Sequence, residues 1–356
     1  MFIKQTGENS MKMITLGSTG ITSPQNGFGA LPIQRDSTEL AVKLLRKAYE
    51  SGITFFDTAR AYTDSEEKIG IAFGDMGIRS KIFIATKTMS TTPEGFWADL
   101  ETSLRLMKTD YIDIYQFHNP DKVFRPGDGT GMYECMLEAK AQGKIRHIGY
   151  TSHSVDNANE CVDSGLYETL QFPLSYITGE KELALVKKCA EKNVGFIAMK
   201  GLAGGLITNS AAAFAYIAQF DNVMPIWGMQ HEHELDEFIF YMSCPPVMND
   251  ELKAQMEADR KALQGNFCRS CGYCMPCPAE INIRQCARMS QLMRRSPYEQ
   301  YLSEAWQKEM AKIENCISCG LCTSRCPYRL DTPALLRENY EDYKLILSGE
   351  RKVSND

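Results

Sequence analysis

The sequence predicts an α/β protein: a (β/α)8 TIM barrel followed by a smaller all-α unit. Strand-like and helix-like segments alternate from Asn26 to about Ser243, giving eight strand-then-helix units. The strand segments are near-continuous apolar runs, the pattern of a parallel sheet buried on both faces. Eight units in about 235 residues also fit the roughly 250 residues that such a barrel needs. An open doubly wound sheet is the competing fold, but the first strand-to-helix turn lacks the GxGxxG phosphate loop.

Taken in order, residues 1–12 are polar and expected to be flexible, and KMITLGSTGI reads as a short hairpin with Gly-containing turn chemistry. The repeating units then begin with NGFGALPI and a helix from about Thr38 to Ser51. ITFFDT precedes a helix from about Ser65 to Asp75, and KIFIATK precedes one from about Pro93 to Met107. YIDIYQFH, IRHIGYT, LQFPLSYI, VGFIAMK and NVMPIWGM complete the strands, each followed by an amphipathic or Ala-rich segment. The barrel is expected to span 13–247. Beyond Cys244-Pro245-Pro246 strand signals stop, and helices are expected near 249–263, 281–295, 297–313 and 332–347 within a unit spanning 248–350, followed by a tail at 351–356.

Composition narrows the function. A 44% apolar fraction excludes disorder, and a net charge of −6 without a basic stripe argues against nucleic acid and anionic membrane as partners. No uncharged apolar run approaches the ~20 residues of a membrane span, and the N-terminus lacks a secretory apolar core, so the chain is expected to be cytoplasmic.

The stretch from Gly52 to Gly70 carries the first chemical signal. Its strand ends in Asp57, and Tyr62 follows in a short loop before the next helix. The next strand ends in Lys87 and the one after in His118. In a barrel the carboxyl ends of all strands open on one face, so Asp57, Lys87 and His118 are expected to converge there with Tyr62. An ammonium beside a phenol favours the phenolate, and a carboxylate keeps that ammonium charged, while an imidazole can orient a bound oxygen. Singly, each residue also has a bland reading: a turn cap, a solvated strand end, a core histidine, surface packing. Four suitable groups at matching topological positions weaken that reading.

DTARAYTDSEEKIG resembles the aldo-keto reductase signature DTAxxYGxSExxLG, with Thr63 at the usual Gly, and IATK, QFHN and IGYTSHS fall in the same order and spacing. The resemblance covers about Met13 to Tyr241. It implies a nicotinamide-dependent oxidoreductase acting on a small-molecule carbonyl, with Tyr62 as general acid, Lys87 and Asp57 tuning it, and His118 positioning the carbonyl. It further implies cofactor contacts at Gly29, Asp57, Thr151, Ser152, Gln171, Met199, Lys200, Leu202, Gly228, Gln230 and Glu237. Thr151 and Ser152 match a Ser-Asn pair holding the carboxamide, Gln171 matches a glutamine, and Met199 stands for a stacking aromatic in IAMKGLAGG, the loop over the nicotinamide and pyrophosphate. Gly228 and Glu234 stand where relatives using NADPH have Lys and Arg, so among NAD(P)H cofactors NADH is expected to be favoured, a carboxylate repelling the 2′-phosphate.

Thirteen cysteines in a cytosolic chain are not read as a disulfide framework. Eight fall in two runs, Cys268-x2-Cys271-x2-Cys274-x2-Cys277-Pro278 and Cys316-x2-Cys319-x2-Cys322-x3-Cys326-Pro327, the first three of each offset by 48. The second is the bacterial ferredoxin pattern, so two [4Fe-4S] clusters in a ferredoxin-like unit are expected. A crossover of the fourth ligand would join Cys268, Cys271, Cys274 and Cys326 in one set, and Cys316, Cys319, Cys322 and Cys277 in the other. Four-thiolate zinc is the alternative, but its paired CxxC motifs usually lie ~15–20 residues apart. The remaining five, Cys135, Cys161, Cys189, Cys244 and Cys286, read as small buried hydrophobes, and His231 and His233 as a solvated face. A hydride carries two electrons and each cluster exchanges one, with no flavin motif between them. The clusters therefore either pass electrons one at a time to or from a substrate or an electron-transfer protein partner, or only staple the second unit. A nucleotide-binding electron-transfer or redox-sensing protein with little carbonyl turnover is the second function class.

Overall fold

The structure, a computed structural model, describes residues 11–263, 267–295, 298–326 and 328–353. Most of the expected flexible segment 1–12, part of the tail 351–356, and Pro327 of the second cysteine run lie outside these residues. Among the described residues, no helix is long and apolar enough to cross a membrane.

The first unit is the barrel. The expected hairpin is β1 (Met13–Thr15) paired antiparallel with β2 (Thr22–Pro24). Ile14, Leu16 and Ile21 pack with Phe55, Ala85, Ile114, Ile197, Met224 and Ile226, so the hairpin plugs the apolar barrel floor. Gly17, at φ +54°, makes this contact possible: a Cβ there would lie 2.2 Å from the Gly195 nitrogen.

Eight parallel strands close the barrel: β3 (Gly27–Gly29), β4 (Phe55–Asp57), β5 (Phe83–Thr88), β6 (Ile112–His118), β7 (Ile145–Thr151), β8 (Thr169–Pro173), β9 (Gly195–Met199) and β10 (Val223–Gly228). They pair in sequence order, with β10 returning to β3, as alternating units demand. Register aligns their carboxyl ends, pairing Gly29 with Asp57, Lys87 with Gln116, His118 with Thr151, Thr151 with Gln171, and Gly228 with Gly29.

Around the barrel run α1 (Thr38–Glu50), α2 (Ser65–Phe73), α3 (Pro93–Leu106), α4 (Met132–Ala141), α5 (Val155–Ser164), α6 (Glu180–Glu191), α7 (Ser210–Ile217) and α8 (Glu232–Ser243). Side-chain caps set several starts: Ser37 accepts from the Leu40 N–H, Thr92 from Gly95, and Ser154 from Asn157. Cys135, Cys161 and Cys189 are buried in α4, α5 and α6, whereas Cys244 is exposed, because α8 has ended there and no further turn covers it.

The second unit contains α9 (Asp250–Ala262), α10 (Ile283–Cys286), α11 (Met289–Arg295), α12 (Glu304–Ala311), α13 (Leu321–Ser324) and α14 (Thr332–Leu347). Its core comprises Ile281, Ile283, Met289, Met293, Met310, Ile313, Leu336, Tyr343 and Ile346. The expected helix over 281–295 is broken between α10 and α11, and in the first turn of α11 the Ser290 N–H donates to Asn339 Oδ1 (2.8 Å). The helix expected over 297–313 is likewise reduced to α12 between two 3₁₀ turns, Tyr298–Leu302 and Lys312–Asn315. Compact division of the chain assigns Leu202–Ser210 to this unit, not to the barrel sequence in which it lies. Arg288 holds it there, donating from Nη1 to the Gly204 carbonyl (3.0 Å).

Candidate active site and cysteine sites

Asp57, Lys87 and His118 stand at the carboxyl ends of β4, β5 and β6, and the β4–α2 loop brings Tyr62 over them. Lys87 Nζ donates to both Asp57 carboxylate oxygens at 2.8 Å and to the Thr58 carbonyl. The same ammonium lies 5.3 Å from the Tyr62 ring centroid, and Tyr62 meets His118 edge-on at 5.9 Å. Burial raises the Asp57 carboxyl and lowers the Lys87 ammonium, while their mutual attraction opposes both shifts. Desolvation, reinforced by the Lys87 charge, lowers His118 to about 3, so its imidazole is neutral across the working pH range. Its Nδ1 is buried without a hydrogen-bond partner among the described residues.

That shift has a stability consequence. The folded value lies below the unfolded value of about 6.5, so between these values the unfolded state binds more protons. The His118 contribution is fully present above pH 6.5 and is lost as pH falls towards 3, by at most about 1.4 kcal/mol per unit. Denaturant midpoints should fall between pH 7 and pH 5, and His118→Asn should flatten that fall.

A hydrogen-bonded chain extends behind the cluster. Gln116 Nε2 donates to Gln171 Oε1 (2.9 Å), and Gln171 Nε2 reaches Asp57 Oδ1 at 3.4 Å. Gln171 thus belongs to the Asp57 network. Glu66 is buried beside it, accepting from Thr86 and Ser103 hydroxyls at 2.7 Å and pairing with Arg60. Thr63, at the glycine of the motif, takes φ +38°, a region that disfavours a β-branched residue.

The expected nucleotide contacts divide. Gly29, Thr151, Met199 and Gly228 all sit at carboxyl ends of strands, with Gly29 and Gly228 paired side by side. Thr151 Oγ1 accepts from the Asn119 N–H (2.9 Å), leaving its own proton to donate. The Ser152 hydroxyl is instead committed to a local turn, accepting from Ser154 N (3.0 Å) and donating to Ser154 O (3.1 Å). Lys200, Ala203, Gly204 and Gly205 all adopt positive φ, so the segment containing Leu202 is a sequence of left-handed turns, a geometry suited to anion-binding nests. Gln230 donates to Asp36 (3.2 Å), and Glu237 is exposed and accepts from Tyr241 (3.0 Å). Glu234 receives the Gln230 and His231 N–H groups at 2.7 and 2.8 Å and so starts α8. His231 and His233 are exposed and stack on each other.

Sequence reasoning missed Asn119, His153 and Gln116. Asn119 Oδ1 anchors the backbone of His153 (2.8 Å), and burial, with Lys200 and His118 nearby, pushes His153 well below the usual histidine value. The adjacency of Asn119 to His118 and of His153 to Ser152 was the available signal.

In the second unit, one cavity is lined by Cys277, Cys316, Cys319 and Cys322 among apolar residues including Ile281, Ile283, Ile317 and Leu336, with Cys274 also on its wall. None of the eight motif cysteines is in a disulfide. The two loops share one backbone: Ser270 and Ser318 lie at φ +55° and +51°, Gly272 and Gly320 at +89° and +75°. After the Cys-Pro steps, Glu280 and Arg329 repeat φ values of +55° and +51°, so the extra residue before Cys326 is absorbed within the loop.

Comparison with known proteins agrees with both units. The Aldo/keto reductase family matches residues 20–213, more than half of the chain, and the 4Fe-4S dicluster domain matches residues 267–331. The chain is 29% identical over 215 residues to the aldo-keto reductase YhdN of Bacillus subtilis, covering 56% of this chain and 64% of that protein. It is 32% identical over 171 residues to the methylglyoxal reductase DkgB of Salmonella typhimurium, covering 45% and 61%. It thus spans about six tenths of the length of curated relatives it matches. An aldo-keto reductase from Bacillus halodurans superposes with TM-score 0.61 at 21% identity, over 70% of this chain and 96% of that one. One from Klebsiella pneumoniae, in complex with NADPH, superposes with TM-score 0.59 at 21% identity, over 69% and 94%.

Proposed function

The chain belongs to the aldo/keto reductase family and carries a C-terminal 4Fe-4S dicluster domain, and from that premise we propose that its barrel reduces an aldehyde or ketone, or oxidises the corresponding alcohol. The observation that carries this reading is the Asp57–Lys87 pair at 2.8 Å beneath the Tyr62 ring. A bound nicotinamide dinucleotide supplies the hydride for such chemistry. The chain's own part is proton transfer and orientation. Tyr62 Oη donates its proton to the carbonyl oxygen, and the Lys87 ammonium, fixed by Asp57 and the Thr58 carbonyl, stabilises the phenolate left behind. His118, neutral, points an N–H at the same oxygen and fixes its position. Oxidation of NADH or NADPH against a panel of aldehydes and ketones tests the activity directly.

For the nucleotide, Thr151 has a hydroxyl proton to donate to a carboxamide. NADH is the preferred form, because Glu234 lies at the position that would otherwise carry a cation for the 2′-phosphate. Fluorescence titration should give a Kd for NADH no weaker than that for NADPH; NADPH binding tenfold tighter would refute this. Exchange of Glu234 for Arg should shift the ratio towards NADPH by about tenfold.

Cys277, Cys316, Cys319 and Cys322 line one apolar cavity together with Cys274, and thiols in such a lining suit a [4Fe-4S] group by chemistry, while among the described residues no three of these side chains come together as a metal-holding group. Cys268, Cys271, Cys274 and Cys326 would hold the other. In support, Tyr328, two residues beyond Cys326, shares the Arg269 guanidinium of the first loop. Such groups supply one-electron transfer. The commitment of Ser152 to its own turn favours, as a second reading, a nucleotide-binding electron-transfer protein with slow carbonyl turnover. An electron-transfer protein partner belongs to either reading.

A further inference from the structure

The two cysteine loops repeat one backbone in two different surroundings. In the first, Arg269 is sandwiched between the rings of Phe267 and Tyr328, 4.6 Å from each centroid. Arg284 lies over Gly272, its Cδ 3.2 Å from where a Cβ would stand. Every residue from Cys268 to Cys274 is partly buried. Across the repeat, Arg269 corresponds to Ile317, which is 68% exposed. Ser318, Cys319 and Gly320 are exposed with it, and no residue from Cys316 to Ser324 is charged.

An exposed isoleucine at the tip of a thiolate loop gives a purely structural site no stability, since it leaves apolar surface in water. The first loop shows that this chain can cover the same position with a cation and two aromatic rings. We propose that the loop Cys316–Cys322 is the face at which the second unit exchanges single electrons with an external one-electron carrier, while the loop Cys268–Cys274 is closed to direct exchange. The uncharged run Cys316–Ser324 fits a redox protein with an uncharged, apolar rim, docked by short-range contact and not by long-range steering. One electron passes per encounter: the carrier is oxidised or reduced by one and the second unit changes by one in the opposite sense. No proton moves and no bond forms. The proposal rests on the two-cluster reading.

The test uses full-length protein purified anaerobically, expected to hold about eight iron and eight sulfide per chain. The protein is reduced, freed of excess reductant and mixed in stopped flow with ferricyanide, a trivalent anion. Oxidation should proceed in two phases. Ile317→Lys places a cation at the exposed loop through which the electrons of both clusters leave, and should accelerate both phases, on the order of three- to tenfold at low ionic strength, a gain that shrinks in high salt. Leu137→Lys, at an exposed position on α4, should change neither phase. Unchanged phases in the Ile317 variant, or acceleration of one phase alone, would overturn the proposal. A chain that binds no iron and sulfide overturns the cluster reading and the proposal with it.

Discussion

Replacement of Tyr62 by Phe lowers the turnover of carbonyl reduction by about 10²–10⁴-fold and leaves nucleotide affinity unchanged. The substitution removes one oxygen. The ring keeps its edge contact with His118 and its place over Lys87, so the pocket keeps its shape and loses only its acid. A loss confined to kcat, with Kd for the dinucleotide intact by fluorescence, identifies Tyr62 as the proton donor. Turnover retained within about threefold would move the acid elsewhere. His118 is a poor substitute, because an imidazole lowered to about 3 carries no second proton at neutral pH.

Lys87→Met has the second large effect, and it falls on stability as well as chemistry. Lys87 and Asp57 are both buried, and the carboxylate takes two hydrogen bonds from that ammonium. Removing the lysine leaves Asp57 with only the long 3.4 Å contact from Gln171. Loss of one partner of a buried ion pair costs about 3–5 kcal/mol, so the denaturant midpoint should drop sharply and turnover should vanish. The double variant Asp57→Asn/Lys87→Met removes the stranded charge and should recover much of the stability without recovering activity. A single variant as stable as the parent would show that the pair is not held as described.

The barrel was legible because each strand is a short apolar run with a helix behind it, and a closed parallel sheet is the arrangement that buries every such run. The four reactive residues were legible because Asp57, Lys87 and His118 stand at the ends of three consecutive strands, which topology brings together, and Tyr62 follows Asp57 in the short loop before α2. The cysteine loops were legible from spacing, and their shared backbone follows from Ser-Cys-Gly recurring in both. The remaining features depended on partners distant in sequence. The first turn of α11 is tied to Asn339, and the assignment of Leu202–Ser210 to the second unit rests on Arg288, 84 residues beyond Gly204. The turn that occupies Ser152 is local, but nothing in residue type distinguishes a serine facing a ligand from one bonded to its own backbone. Gln171 kept its expected location and gained a different neighbour, since Gln116 fixes its amide towards Asp57.

The central claim is that the Asp57–Lys87–Tyr62–His118 cluster serves hydride chemistry at a carbonyl carbon. It is tested most directly by isotope transfer: nicotinamide dinucleotide deuterated at C4 is incubated with a carbonyl substrate found by the activity panel, and the alcohol is examined by mass spectrometry and NMR. Deuterium on the carbinol carbon, formed by the parent protein and not by the Tyr62→Phe variant, is the predicted result. An alcohol formed without deuterium from either face of the labelled ring would contradict it.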